Sequence, residues 1–222
     1  MKRLLHTTTP GRRAGTVLLL LLSAAAVTAA TTATPARAQG GASKTEAAAD
    51  KATREGPLVT LRHPVPPLTG DKSLWINAEK PVAFEKGRVY VVHFWTFGCV
   101  NCVRNLPHYD AWVKRFAGRD VTFVGVHTPE TESEKEIENV RAAVKKRGIT
   151  YPVLFDPKNE NWNRWQQQWW PTVYLIDKQG RVRYYWMGEL EWKGSAGGEA
   201  KMRGFIEKLL AEPATTKTRA PL

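Results

Sequence analysis

Cysteine is scarce in this chain, whose 222 residues include only Cys99 and Cys102. Two cysteines exclude a small scaffold held together by several disulfides. A structural zinc site is excluded as well, because it needs four ligands and no second pair of Cys or His residues stands at metal spacing. We therefore predict no metal and no cofactor.

The sequence also lacks an apolar run long enough for a membrane-spanning helix, which needs about 20 residues. The apolar run at residues 17–27 follows a basic N-terminus and precedes the small-residue site Ala36-Arg37-Ala38. Basic, apolar and small is the order of a secretory signal peptide. We predict a signal peptide at residues 1–38, cleaved after Ala38, and hence a periplasmic or otherwise exported protein. An uncleaved membrane anchor is the alternative.

Acidic residues are fewer than basic ones, 21 against 33. Five of the basic residues lie within residues 1–38, so the predicted mature chain has a net charge of +7. The remaining bases are scattered, and the run at residues 145–147 ends a predicted helix, where a solvated helix face explains it. We predict no nucleic-acid partner.

Strand and helix patterns alternate between a flexible linker predicted at residues 39–56 and a disordered tail predicted at 212–222. Near-continuous runs of β-branched and aromatic residues predict buried strands, and apolar residues at helical spacing predict helices. The strands are predicted at 89–95, 121–126, 151–155, 172–176 and 182–186, and the helices at 102–116, 132–147 and 202–210. We therefore predict an α/β domain at residues 57–211, with a central mixed sheet flanked by helices.

The two cysteines follow a predicted buried strand and stand at the start of the next helix. Amide groups and the positive end of a helix at such a place stabilise a thiolate on Cys99. A thiolate attacks a disulfide, and a second thiol nearby resolves the mixed disulfide. A purely structural disulfide is the alternative, but so short a loop contributes only about 2 kcal/mol in the chain-entropy estimate. The spacing favours a redox-active pair, with Cys99 and Cys102 as the catalytic residues.

The segment FWTFGCVNC at residues 94–102 resembles the strand–CxxC–helix unit of the thioredoxin superfamily. The longer stretch at 75–210 is similar to exported redoxin or TlpA-like thiol–disulfide oxidoreductases, including the thioredoxin-like domain of DipZ-type proteins. Beside the cysteines, the matching pieces are WIN at 75–77, LP at 106–107, GVHTPE at 125–130, WPT at 170–172 and YLID at 174–177. The resemblance implies a thioredoxin-like fold and an enzyme that exchanges a dithiol with protein disulfides.

The same resemblance implies roles for individual residues. Cys99 is expected to be the nucleophile and Cys102 the buried resolving thiol. The peptide bond before Pro171 is expected to be cis and to face the disulfide, which leaves the Trp170 backbone free to pair with a substrate chain. Because the membrane-spanning portion of DipZ-type proteins is missing here, the electron donor is expected to be a separate membrane protein.

Further residues are predicted at the edge of the sheet that carries the cysteines. Trp95 and Trp170 flank this edge and are expected to shape the substrate-binding surface. His127 and Glu130 follow a strand predicted to run parallel to the one before Cys99, so both are expected near the site. Glu130 also has an alternative role, capping the next helix together with Thr131.

Two positions depart from the pattern of the family. Thioredoxins usually carry a buried acid six residues before the first cysteine, where this chain has His93, and related reductases often carry a Glu where it has Asn105. Two roles for His93 stay open: proton transfer at Cys102, or a hydrogen-bonded core histidine that fills the place of the acid.

Two other functions compete with protein disulfide exchange. Residues 96–99 match the TxxC of peroxiredoxins, which makes thiol-dependent peroxide reduction an alternative, although the upstream proline of that family is replaced by Val92. A copper-binding chaperone is a weaker alternative, because relatives of that kind space their cysteines as CxxxC.

Overall fold

The computed structural model describes residues 63–192 and 197–214. The predicted signal peptide and linker therefore lie outside the described residues, as do residues 57–62 of the predicted domain. Among the residues that are described, no helix is both long and apolar enough to cross a membrane.

Six strands and four α-helices make up the described domain. The strands are β1 (Trp75–Ile76), β2 (Val89–Trp95), β3 (Val121–His127), β4 (Val153–Phe155), β5 (Thr172–Ile176) and β6 (Val182–Met187). The helices are α1 (Val100–Arg115), α2 (Ile137–Lys146), α3 (Glu160–Arg164) and α4 (Gly198–Ala211), with short 3-10 helices at Lys72–Leu74 and Glu132–Lys135.

The strands form one sheet in the order β1-β4-β3-β2-β5-β6. β2 pairs with β3 and β3 with β4 in parallel. The pairs β1–β4, β2–β5 and β5–β6 are antiparallel. The predicted mixed sheet is therefore confirmed. β2 occupies a central place, and its carboxyl end leads directly to the cysteine pair.

The alternation of side chains along β2 divides the core into two layers. Val91 and Trp95 belong to a cluster that includes Cys102 and apolar residues of α1, α2 and α4. Val92 and Phe94 belong to a second cluster on the opposite face of the sheet. Every residue of β2 is buried, as expected for a strand covered on both faces. Packing on both faces of the sheet thus fixes the position of the carboxyl end of β2.

One predicted helix is broken in the structure. The sequence predicts a continuous helix at residues 132–147, but Glu136 has extended backbone (φ −95°, ψ 116°) between the 3-10 helix and α2. After this break the 3-10 helix is free to take a direction different from that of α2. It lies under the loop before the cysteines, to which its buried Glu134 is hydrogen-bonded.

The ordered domain extends beyond the predicted boundary at Ala211. Glu212, which the sequence analysis assigns to the disordered tail, instead pairs with the buried Arg183 through two hydrogen bonds of 2.9 and 3.0 Å. Asp177, fully buried, accepts a third bond from the same guanidinium at 3.1 Å. A buried Arg needs such acceptors, and this need holds Glu212 against the sheet.

Candidate active site

Cys99 and Cys102 lie at the first turn of α1. Cys99 is the N-cap residue of the helix, and its Sγ accepts a 3.3 Å hydrogen bond from the backbone amide of Cys102. Both cysteines are free thiols, Cys99 half-buried and Cys102 almost fully buried. One thiol therefore faces solvent at a helix start, while its partner is shielded one turn further in.

This difference in surroundings separates the acidities of the two thiols. The hydrogen bond from the Cys102 thiol is the main influence that lowers the pKa of Cys99 to about 7, although partial burial opposes it. Burial is the main influence that raises the pKa of Cys102 well above its ordinary value, and its hydrogen bond to Cys99 adds to the effect. At neutral pH the pair therefore holds one thiolate-forming sulfur and one protonated thiol.

The Trp170–Pro171 peptide bond is cis, as the resemblance implies. Thr172, the next residue, pairs with Phe94 of β2, so Pro171 lies beside the carboxyl end of the strand that leads to Cys99. Trp170 is half-buried and packs against Trp162, with ring centroids 4.0 Å apart and ring planes 31° from parallel. The structure thus brings the predicted proline loop to the edge that carries the cysteines.

Trp95 does not have the predicted place on the substrate surface. Its side chain is fully buried, because Trp95 is the last residue of β2 and points into the core beneath α1. Its ring meets that of His127 edge-on, with centroids 5.3 Å apart. Trp169, which precedes the cis-proline by two residues, is instead 60% exposed. Trp169 lies beyond the end of α3 at Arg164.

His127 lies directly under the loop that precedes Cys99. It pairs with Trp95 in the sheet, and its Nε2 accepts a 3.4 Å hydrogen bond from the Phe97 amide. Its ring also stacks on that of Phe97. Burial lowers the pKa of His127 to about 4, so the imidazole is neutral at physiological pH. The structure thus places His127 near the site as a support for the loop.

Glu130 is exposed and follows His127 by three residues. Its negative charge contributes to raising the pKa of both Cys99 and Cys102. Its backbone amide donates a 2.8 Å hydrogen bond to the Glu134 carboxylate. Glu130 is thus close enough to act electrostatically on the two thiols. Glu134 is the residue whose carboxylate accepts hydrogen bonds at the start of the 3-10 helix.

Glu134, which is almost fully buried beside the cysteine loop, is a site residue that the sequence did not predict. Its Oε1 accepts hydrogen bonds from the Thr96 hydroxyl and, at 2.8 Å, from the Gly98 amide. The pattern Thr131-x-x-Glu134 could have indicated a helix start at this place, because it is that of a capping box. No local pattern indicates the contact with Gly98.

His93 and Asn105, the two departures from the family pattern, both have partners. The Nε2 of His93 lies 3.0 Å from the Tyr151 hydroxyl. Burial lowers the pKa of His93 to about 3. Asn105 is buried; its side chain accepts from the Leu190 amide at 2.9 Å and donates to the Gly188 carbonyl at 3.0 Å. Asn105 therefore fixes α1 to the chain after β6.

Glycine at position 125 makes room for His93. A Cβ atom on Gly125 would lie 3.1 Å from the Nε2 of His93 and 3.1 Å from the Nε1 of Trp95. The two large rings on β2 therefore fit against β3 because the facing residue has no side chain.

Several large apolar side chains are exposed on the described surface. Among the large hydrophobic side chains in the described part of the chain, four are more than half exposed: Val100, Trp169, Met187 and Trp192. Val100 follows Cys99, and Met187 pairs with Thr172 next to the cis-proline. Exposed apolar side chains gathered at one edge are typical of a surface that binds another molecule. No group of three or more His, Cys, Asp or Glu residues suited to a metal ion occurs within 63–192 and 197–214.

Comparison with known proteins gives one matching family and several similar proteins, one of them a thiol-disulfide oxidoreductase. Residues 71–185 match the AhpC/TSA family. The chain is 35% identical over 119 residues to Protein DipZ of Mycobacterium tuberculosis, a match that covers 52% of this chain but only 17% of DipZ. It is 27% identical over 155 residues to the thiol-disulfide oxidoreductase YkuV of Bacillus subtilis, covering 68% of this chain and 97% of YkuV.

The fold is also that of known redox proteins. The crystal structure of a thiol-disulfide isomerase from Corynebacterium glutamicum superimposes with a TM-score of 0.57 at 22% identity, covering 67% of this chain and 97% of that one. The predicted thioredoxin-like fold is therefore confirmed, and so is the similarity to DipZ.

Proposed function

The chain belongs to the AhpC/TSA family, and from this membership together with the two unlike thiols at the start of α1 we propose that it is a thiol–disulfide oxidoreductase acting on exported proteins. One observation carries the proposal: the half-exposed Cys99 caps a helix while Cys102 lies buried one turn away. A nucleophile and a resolving thiol need this pair of environments.

The reaction uses the two thiols in sequence. The Cys99 thiolate attacks one sulfur of a substrate disulfide, forms a mixed disulfide and releases the other substrate sulfur as a thiolate. Cys102 then gives up its proton and attacks Cys99 Sγ. This step closes the Cys99–Cys102 disulfide and releases the second substrate thiolate. Two electrons pass from the enzyme to the substrate, and the released thiolates take up protons.

We propose that the pair works mainly as a reductant. A strongly oxidising pair has a reduced form that is stabilised by a very acidic first thiol, whereas thioredoxin has a first thiol with a pKa of about 7. Cys99 has a pKa of about 7, so its thiolate gains little stabilisation at neutral pH. Each cycle leaves an enzyme disulfide, which a thiol donor must reduce. We propose a separate membrane protein as the source of these electrons.

The exposed apolar residues support a protein substrate rather than a small disulfide. Val100, Trp169 and Met187 offer contacts to an extended chain whose disulfide lies at Cys99. We propose that Trp170 and Pro171 contribute backbone contacts to the same chain. The pattern at residues 1–38 supports a periplasmic or otherwise exported location for this reaction.

Peroxide reduction has less support from the geometry. The hydroxyl of Thr96, the threonine of the TxxC match, is fully buried and donates to Glu134. This hydroxyl is therefore already hydrogen-bonded beneath the loop. Cys102 can resolve a disulfide at Cys99 without any further cysteine.

The reduction potential of the Cys99–Cys102 pair tests the proposal first. The purified protein is equilibrated in graded thiol buffers, and its free thiols are counted. We expect a potential near or below about −230 mV, on the thioredoxin side of the scale, and reduction of a protein disulfide such as that of insulin. A potential above about −150 mV would instead indicate an oxidant. Faster turnover of hydrogen peroxide than of insulin would favour the peroxidase.

A further inference from the structure

Glu134 carries a buried carboxylate that accepts four hydrogen bonds. Its Oε2 accepts from the backbone amides of Glu130 and Thr131, each at 2.8 Å. Its Oε1 accepts from the Gly98 amide at 2.8 Å and from the Thr96 hydroxyl. The side chain is 1% exposed, so these four donors replace water as its surroundings.

Only half of this arrangement belongs to the local start of a helix. A capping box requires Glu134 to bond the backbone amide of Thr131, three residues earlier. The other carboxylate oxygen reaches the loop before Cys99, 36 residues away in the chain. Helix capping therefore does not explain why the carboxylate faces Thr96 and Gly98.

The loop before Cys99 approaches the carboxylate closely. A Cβ atom on Gly98 would lie 2.8 Å from Oε1 of Glu134, which is closer than real Cβ atoms come to other atoms. The absence of a side chain at position 98 therefore allows its amide to reach the carboxylate. Because Gly98 is the neighbour of Cys99, the contact fixes the backbone at the helix start.

The hydrogen bonds keep the carboxylate ionised. Burial by itself raises the pKa of Glu134, but the bonds from Thr96, Gly98, Glu130 and Thr131 together outweigh it and hold the pKa below its ordinary value. An ionised carboxylate forms stronger hydrogen bonds than a neutral group would. The link between the two loops is therefore at full strength at neutral pH.

We propose that Glu134 is the positioning residue of the dithiol site. Its carboxylate joins the loop before Cys99 to the loop after β3, and in this way it holds Cys99 at the N-cap of α1. The proposal rests on the proposed function in that it takes Cys99 as the nucleophile. Glu134 itself touches neither sulfur and acts through the backbone of Gly98.

The test is the pH dependence of Cys99 alkylation by iodoacetamide in the reduced, folded protein. Glu134→Gln keeps one acceptor oxygen and replaces the other with a donor, so either the bond from the Gly98 amide or the two bonds from the Glu130 and Thr131 amides are lost. We expect the midpoint of alkylation to rise from near pH 7 toward about 8.5, the value of a free cysteine, because Cys99 is no longer held at the helix start. Glu132→Gln is the matched control, since Glu132 is exposed in the same 3-10 helix and bonds Lys135.

A second variant separates position from charge. Gly98→Ala keeps the carboxylate but pushes it away from the loop, and it should raise the alkylation midpoint in the same direction. An unchanged midpoint in both variants would reduce Glu134 to a capping residue and overturn the proposal. A lower midpoint in Glu134→Gln would mean that the nearby negative charges of Glu134 and Glu130 act on the thiol more strongly than the position of Cys99 does, which also overturns it. Alkylation needs no substrate, so these results can be read even if the wild-type protein exchanges no disulfides.

Discussion

The Nε2 atom of His93 lies 3.0 Å from the hydroxyl oxygen of Tyr151, and both side chains are buried. The His93 ring also packs on Tyr109 of α1, with centroids 4.3 Å apart. These contacts account for a histidine in place of the acid that thioredoxins bury here, and they favour the role of a hydrogen-bonded core residue. Since burial lowers the pKa of His93 to about 3, its charge does not change between pH 5 and 9.

Replacing His93 should therefore affect stability more than chemistry. We expect His93→Ala to lower the free energy of unfolding by about 3 kcal/mol, through the cavity and the lost contacts. The pH profile of disulfide exchange, measured between pH 5 and 9, should keep its midpoint. Tyr151→Phe is the control, because it removes the hydroxyl alone. A profile that shifts in His93→Ala but not in Tyr151→Phe would restore proton transfer at Cys102.

Cys102 should control the acidity of Cys99. Because the hydrogen bond from the Cys102 thiol is the main influence that lowers the pKa of Cys99, Cys102→Ala should shift the alkylation midpoint of Cys99 upward from about pH 7. The absorbance of the thiolate at 240 nm gives an independent readout. If the midpoint stays near 7, the helix start alone sets the acidity of Cys99, and the thiol pair is not coupled.

Acid should destabilise the protein through its buried histidines. The folded-state pKa values of His93 and His127 are about 3 and about 4, below the ordinary value of 6.5. Between pH 6.5 and about 4 the unfolded chain binds protons that the folded chain does not. The free energy of unfolding should be at its full value above pH 6.5 and fall below it by about 1.4 kcal/mol per pH unit for each histidine.

Urea unfolding across this pH range checks the prediction, with variants of each histidine. His127→Phe should roughly halve the slope, whereas His63→Gln, at an exposed position, should leave it unchanged. The window above pH 4.5 matters because the carboxylates with lowered pKa values, Glu134 and Asp177, lose their contribution only below it. A flat stability profile between pH 4.5 and 6.5 would contradict burial of neutral imidazoles.

Trp169 should matter for protein substrates only. We expect Trp169→Ala to lower kcat/KM for reduction of an unfolded, disulfide-containing protein by about tenfold, as loss of about 1.4 kcal/mol of contact energy gives. Reduction of a small aromatic disulfide such as DTNB should change little, and Trp169→Phe should restore most of the activity. An equal loss for both substrates would place Trp169 in the support of the fold rather than in substrate binding.

Glu212 should belong to the stable domain. Deleting residues 212–222 removes its carboxylate from the buried Arg183, leaving Asp177 as the remaining partner. We expect a loss of about 2 kcal/mol in the free energy of unfolding, less than for a buried charge left wholly unpaired. Deleting residues 215–222 is the matched control and should cost little. Equal stability of the two truncated chains would return Glu212 to the tail.

Local patterns in the sequence were sufficient for five of the six strands and for the cysteine pair, whereas the two-residue strand β1 was not predicted. The buried runs around β2 and β3, and the position of Cys99 between a strand and a helix, follow from side-chain periodicity and from the physics of a helix start. These features depend on residues close together in the chain. For the same reason the sequence could also indicate the edge at which His127 lies, whereas the place of Pro171 was implied by the resemblance to thioredoxin-like proteins.

Tertiary structure alone decided which side chains support this edge and which are exposed. Trp95 is buried because both faces of the sheet are covered at its position. Trp169 is exposed because it lies outside the sheet, before the start of β5. Glu134 meets Gly98, and Glu212 meets Arg183, across 36 and 29 residues. Such contacts depend on how parallel strands and helices are placed against one another. A short sequence window contains only one of the two partners, so it determines the nucleophile but not the carboxylate that holds it.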